Sequence, residues 1–210
     1  VSNSIFISDE NLRKKSETRS YDVNAYYLYT VCHELLHAAS KTDIEIKDGV
    51  SDGVESRIQR TRNGFSDIIF FSKHGQPSVR KRLFVFLDEG INDKLTQDVF
   101  REYVRRSNIL DSPTRKIYLD SIDDMTTYPE AVDFVDKLIA TISERSGVSH
   151  DFVWNSFRHG KFTGETISDP ETIRLFNEML GKGLLDEISE MDKNKDNRRE
   201  LGIIVAKYLK

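Results

Sequence analysis

The run from Val23 to Ala39 contains neither Gly nor Pro and is dense in apolar residues. Such a run predicts a buried helix, and Asp22 stands where an N-cap is wanted. Inside it His33 and His37 are four positions apart, with Glu34 directly after the first. Residues i and i+4 share one helix face a turn apart, so the two imidazoles converge. The flanks Tyr29, Val31, Cys32, Leu35, Leu36, Ala38 and Ala39 imply that this helix is largely buried. Two adjacent buried histidines are costly unless something satisfies them. One Zn²⁺ per chain would do so. It accepts imidazole nitrogens and lowers the pKa of bound water to about 7. Glu34 projects beside the pair and is placed to act as general base. The five residues therefore read as an H-E-x-x-H metal motif.

A catalytic zinc needs a third protein ligand. Glu89 lies within a second long helical pattern, from about Leu83 to Arg106. Asp93 follows it by four and would share its face, placed to receive the second N–H of a ligand histidine. Gly90 beside it is costly in a helix, and close backbone approach would explain it. Asp43, six residues after His37, and His74, in a polar loop, are the alternatives. An electrophile for a developing oxyanion is also required, and Tyr128, at a predicted helix start after a polar stretch, is the candidate; Tyr103, Tyr118 and His159 are alternatives.

His33-Glu34-Leu35-Leu36-His37 together with Asp88-Glu89-Gly90 resembles the gluzincin metallopeptidases. The similarity is greatest to bacterial members whose second motif reads approximately N-E-G-x-T-E-x-L-T. The resemblance implies Glu89 as zinc ligand, Asp93 as support for a ligand histidine, and a bacterial, soluble protein with the cytoplasm favoured. Here Asp88 replaces Asn, Asn92 replaces Thr, and Lys94 stands where an aromatic is common. Tyr128-Pro129-Glu130 and Phe157-Arg158-His159-Gly160-Lys161 also resemble the C-terminal helices of that group.

The rest of the chain sets the expected architecture. Residues 1–20 read as a polar leading segment and 41–55 as an acidic loop. Residues 56–72 read as a short β element around the turn-forming Asn63-Gly64. Pro77 is expected to break the chain. In the second helix, Leu87, Ile91, Leu95, Val99 and Tyr103 are expected on one stripe, and 107–127 is expected to be a polar connection. Helices follow at about 129–145, 149–158, 169–190 and 197–208, with Asp169-Pro170 as a start signal. Asp192, Asn194 and Asp196 open like a calcium loop. Asn197 and Ile203 stand where Gly and Glu are required, so an inter-helix turn is expected. Trp154, Phe152, Phe157 and Phe162 are expected to pack between helices.

With 210 residues, 38% hydrophobic and 31% charged, the chain has material for one folded domain. A net charge of -4 argues against a nucleic-acid partner. The single cysteine, Cys32, permits no internal disulfide and is expected to be a buried structural thiol. No run is long enough to span a membrane. Because the chain begins at Val1 rather than Met, we expect it to have been trimmed, with room for a signal or anchor upstream. The expectation is an α+β, mainly helical, zincin-like domain covering 1–210. Its metal-site core would lie at 21–106, with a small β element, and its helical part at 128–210. The expected activity is hydrolysis of a peptide or protein substrate. The rival expectation is a zinc-stabilised binding or regulatory domain that is catalytically silent.

Overall fold

The computed structural model describes residues 8–19, 21–51, 54–73, 76–164, 170–191 and 197–209. They form a mainly helical chain with one antiparallel sheet: α1 (Asp9–Arg19), α2 (Val23–Ala39), β1 (Thr42–Ser51), β2 (Val54–Asn63), β3 (Ser66–Lys73), β4 (Gln76–Leu83), α3 (Val85–Arg106), α4 (Ser112–Met125), α5 (Pro129–Ser146), α6 (His150–Thr163), α7 (Pro170–Leu180), α8 (Leu184–Ser189) and α9 (Arg198–Tyr208). Among the described residues no helix is long and apolar enough to cross a membrane. The chain resolves into two compact units, Val1–Ala39 with Asn92–Pro129, and Ser40–Ile91 with Glu130–Lys210.

The first unit is helical. Its core joins Leu12, Ala25, Tyr26, Tyr29, Phe100, Val104, Tyr118, Ile122 and Met125. The leading segment, read from sequence as merely polar, holds α1, which buries Leu12 and Ser16 among charged neighbours. Helix α2 begins as expected, with Asp22 Oδ1 accepting from the backbone N–H groups of Asn24 and Ala25. The connection expected at 107–127 is largely helix α4. Asp111 caps it by accepting from Thr114 N at 2.8 Å, and Pro113 sits in its first turn. The stripe expected on α3 fails halfway. Leu87, Ile91 and Leu95 are buried, while Val99 and Tyr103 are exposed and Phe100 and Val104 take the core positions. A step of four residues overshoots a full turn by about 40°, so three steps rotate a side chain well off the starting face.

The second unit contains the sheet, in order β1-β2-β3-β4. The turn at Gly64-Phe65 closes on Asn63 opposite Ser66, and Gly64 has φ +57°. The acidic stretch expected as a loop is strand β1, paired through opposite charge. Asp43 faces Arg62, Glu45 faces Arg60 and Asp48 faces Arg57. Pro77 does not break the chain. It lies in the edge strand β4, where a missing N–H is tolerated, next to a register shift between Phe71 and Ser72. The C-terminal helices appear as expected, except that α6 runs on to Thr163 and the 169–190 stretch divides at Gly181 and Gly183, both with positive φ. Asp169, His74 and the Asp192–Asp196 stretch lie outside the described residues.

One buried ion pair ties this unit together. Lys161, with no exposed surface, donates from Nζ to Asp88 Oδ1 at 2.9 Å. The same oxygen accepts from Phe65 N at 2.9 Å. A Cβ on Gly64 would meet that oxygen at 2.7 Å, so glycine serves both the turn and the ion pair. Replacing one member of such a pair strands a buried charge. Lys161→Met should therefore destabilise the protein by about 3–5 kcal/mol, and Asp88→Asn in addition should recover most of the loss. Denaturant titration of wild type and the two variants checks this, and an unchanged midpoint in Lys161→Met would refute it.

Candidate metal centre

His33 and His37 stand on successive turns of α2, with ring centroids 4.8 Å apart and Nε2 atoms separated by 3.2 Å. His33 is buried and His37 partly so. The helix is less enclosed than its composition suggested: Leu35, Ala38 and Ala39 are exposed, and the buried stripe is Ala25, Tyr26, Tyr29 and His33. Glu34 is partly exposed on the same turn.

The orientation of His33 is set by α3. Asp93, with no exposed surface, places Oδ1 2.8 Å from His33 Nδ1. Its other oxygen accepts from Tyr128 N at 2.7 Å. The Asp93 contact turns the other ring nitrogen of His33, Nε2, toward His37. Asn92, one residue earlier, donates from Nδ2 to the His33 carbonyl at 2.9 Å. Gln97 donates to Thr126 Oγ1 at 2.7 Å, holding the segment that leads to Tyr128. The Tyr128 ring lies 6.3 Å from that of His33.

Helix α3 is continuous, and Glu89 lies one turn before Asp93, buried like it. One nitrogen each from His33 and His37 and a carboxylate oxygen of Glu89 lie within 4.8 Å of one another. This buried His–His–Glu group is able to hold a metal ion. Two imidazole nitrogens and one carboxylate oxygen are a donor set suited to a divalent transition metal. His33 Nε2 is aimed at His37 Nε2, 3.2 Å away, so the two rings turn these nitrogens toward each other. Gly90 has the reason expected from its neighbourhood: a Cβ there would meet the Ala131 carbonyl oxygen at 2.6 Å.

The other sequence candidates fall elsewhere. Asp43 is exposed on β1, paired with Lys41 at 3.4 Å, and is outside the His–His–Glu group. Tyr118 is buried against Phe100 in the helical core, and Tyr103 also packs on Phe100. His159 is exposed on α6. Cys32, expected to be buried, is only partly so; it packs against the helical core, and that burial pushes its thiol pKa up. Of the expected aromatic cluster only Phe157 is buried, between Phe65 and Phe176; Phe152 and Phe162 are exposed. Sequence reading missed Asn92, noted only as a departure, and the Asp88–Lys161 pair. A polar residue one position before a predicted histidine partner was the available signal for Asn92.

No protein-family model, curated protein or solved structure matches this chain. The site therefore rests on its own geometry. Outer partners of ligand histidines contribute about 10–100-fold to metal affinity. Asp93→Asn should weaken divalent-metal binding by that factor while leaving the chain folded. Calorimetric titration with zinc and cobalt measures it, and unchanged affinity would remove Asp93 from the site.

Proposed function

We propose that this chain is a zinc metallopeptidase of gluzincin type, with Zn²⁺ held by His33, His37 and Glu89. The observation that carries the reading is the Asp93–His33 hydrogen bond. It turns Nε2 of His33 toward the point where His37 and Glu89 bring their own donor atoms. The motif His33-Glu34-Leu35-Leu36-His37 supplies the second support, since it sets an acid beside the paired histidines.

A zinc ion at this group supplies Lewis acidity, making water nucleophilic near neutral pH and polarising a carbonyl. The chain does the rest. Glu34 accepts the proton of the attacking water and returns it to the departing amine. Asp93 holds His33 in one tautomer and one orientation throughout. Asn92 fixes the His33 backbone, so the imidazole cannot swing away with its helix turn. Tyr128, tethered through its backbone to Asp93, is our candidate for the group that faces the oxyanion. The substrate class is a peptide or protein amide.

Metal analysis by mass spectrometry and hydrolysis of a mixed peptide library test the reading together. Wild type should carry one zinc per chain, and Glu89→Ala should lose most of it, whereas Asp43→Ala should retain it. Glu34→Gln should keep the zinc yet lose hydrolysis by about 10²–10⁴-fold, because only the base is removed. Zinc-free wild type would overturn the metal assignment. Full activity in Glu34→Gln would overturn the mechanism. Zinc binding without hydrolysis by wild type would favour the silent binding domain instead.

A further inference from the structure

Strand β1 lies at one edge of the sheet. Every residue from Lys41 to Gly49 is exposed, including Ile44 at 57% and Ile46 at 52%. Among the described residues, no backbone hydrogen bond outside the sheet is made by Thr42–Ser51. A long exposed edge with apolar side chains is a template for another strand, and proteins usually guard such edges. The opposite edge strand, β4, contains Pro77, which has no N–H to offer, and the exposed basic residues Lys81 and Arg82. Strand β1 has no Pro and carries charges of both signs, Asp43, Glu45, Lys47 and Asp48.

We propose that β1 pairs antiparallel with β1 of a second copy of this chain, across a two-fold axis at Glu45. The alternation of an antiparallel ladder decides which peptide groups are available. Counting from the two-residue loop that closes on Asn63 and Ser66, Arg62, Arg60 and Ile58 bond toward β1. Their partners Asp43, Glu45 and Lys47 therefore bond inward. Thr42, Ile44, Ile46 and Asp48 turn their peptide groups to the open edge. A two-fold at Glu45 sets Ile44 opposite Ile46 and Thr42 opposite Asp48, each twice, so all the open groups are matched. It also sets Asp43 opposite Lys47 twice, at the cost of one Glu45–Glu45 encounter. Shifting the axis to Ile44 sets Asp43 against Glu45 and Lys47 against Lys41. Shifting it to Lys47 sets Ile46 against Asp48. A two-fold at Ile46 keeps Glu45 against Lys47 but sets Ile44 against Asp48. The Glu45 register alone joins both isoleucines and opposite charges. An isologous contact of this kind closes as a dimer and stops there. The same opposite-charge logic already sets the β1–β2 register within the chain. A single strand edge is a small interface, so the dimer should be weak and concentration-dependent.

Sedimentation velocity over a concentration series is the test, with circular dichroism to confirm folding. Wild type should shift from monomer to dimer, and Ile46→Lys should remain monomeric. Lys47→Glu should weaken the dimer roughly tenfold, since it turns two attractions into repulsions. Asp43→Lys in the same chain should restore it. In a Cys32→Ala background, oxidised Glu45→Cys should cross-link to a covalent dimer, while Ile109→Cys, on an exposed position elsewhere, should not. A wild type monomeric at every concentration would overturn the proposal, as would a dimer indifferent to Ile46→Lys or a charge swap that restores nothing. Protection of β1 amides only on adding an extended peptide would assign the edge to substrate, and would equally overturn it.

Discussion

A carboxylate without exposed surface must have its oxygens satisfied by the protein, because the cost of burying an unpaired charge exceeds what a small domain can offset. Asp93 meets that condition with two donors from different places in the chain, His33 Nδ1 and Tyr128 N. Each bond constrains its donor as much as it satisfies the acid. The first fixes the orientation of the His33 ring on α2. The second fixes the start of the segment that becomes α5. Because α3 is one unbroken helix, the position of Asp93 also determines where Glu89 stands, one turn earlier. The geometry of the His–His–Glu group thus follows from one buried acid and the pitch of one helix.

Helix α3 buries an unusual run of polar side chains: Asp88, Glu89, Asn92, Asp93, Thr96 and Gln97. Apolar residues of similar volume at such positions are often as stabilising or more so. Most of these groups have identified partners. Asp88 meets Lys161, Asn92 meets the His33 carbonyl, Thr96 returns to the Asn92 carbonyl, and Gln97 meets Thr126. Asn92 Oδ1 is buried and has none. An orphaned acceptor costs about 1–3 kcal/mol, so Asn92 is a poor choice for stability alone. Holding a histidine-bearing backbone in place is the role its other end performs.

The sequence disclosed what depends on short-range pattern. The helical period and Asp22 located α2, Asn63-Gly64 located the β2–β3 turn, and Gly90 pointed to close approach. It concealed what depends on context. The Thr42-Ile44-Ile46 alternation of β1 was masked by acids and glycines that read as loop, and becomes strand only against the arginines of β2. The signals for α4, an Asp cap and a first-turn Pro, were present but lay in a polar stretch whose buried face, Tyr118, Ile122 and Met125, is sparse. Lys161 and Asp88 are far apart in sequence, and nothing local announces that one lysine of many will be buried. Spacing brought His33 and His37 forward, and the second motif already favoured Glu89 over Asp43; the structure adds that Asp43 stands exposed on β1.

The metal group and the open strand edge have no residues in common, yet the chain connects them closely. His37 lies in the last turn of α2, and β1 begins a few residues later. Lys41 stands at the start of that strand and is held in place. Its N–H donates to the Lys161 carbonyl at 3.1 Å, and its carbonyl accepts from Gly64 N at 3.0 Å. Lys161 is itself fixed by Asp88, and Gly64 by the crowding around that same carboxylate. A buried ion pair thus helps to anchor the backbone at the start of β1. Pairing at the edge would therefore act on a strand whose start is already fixed by this anchor.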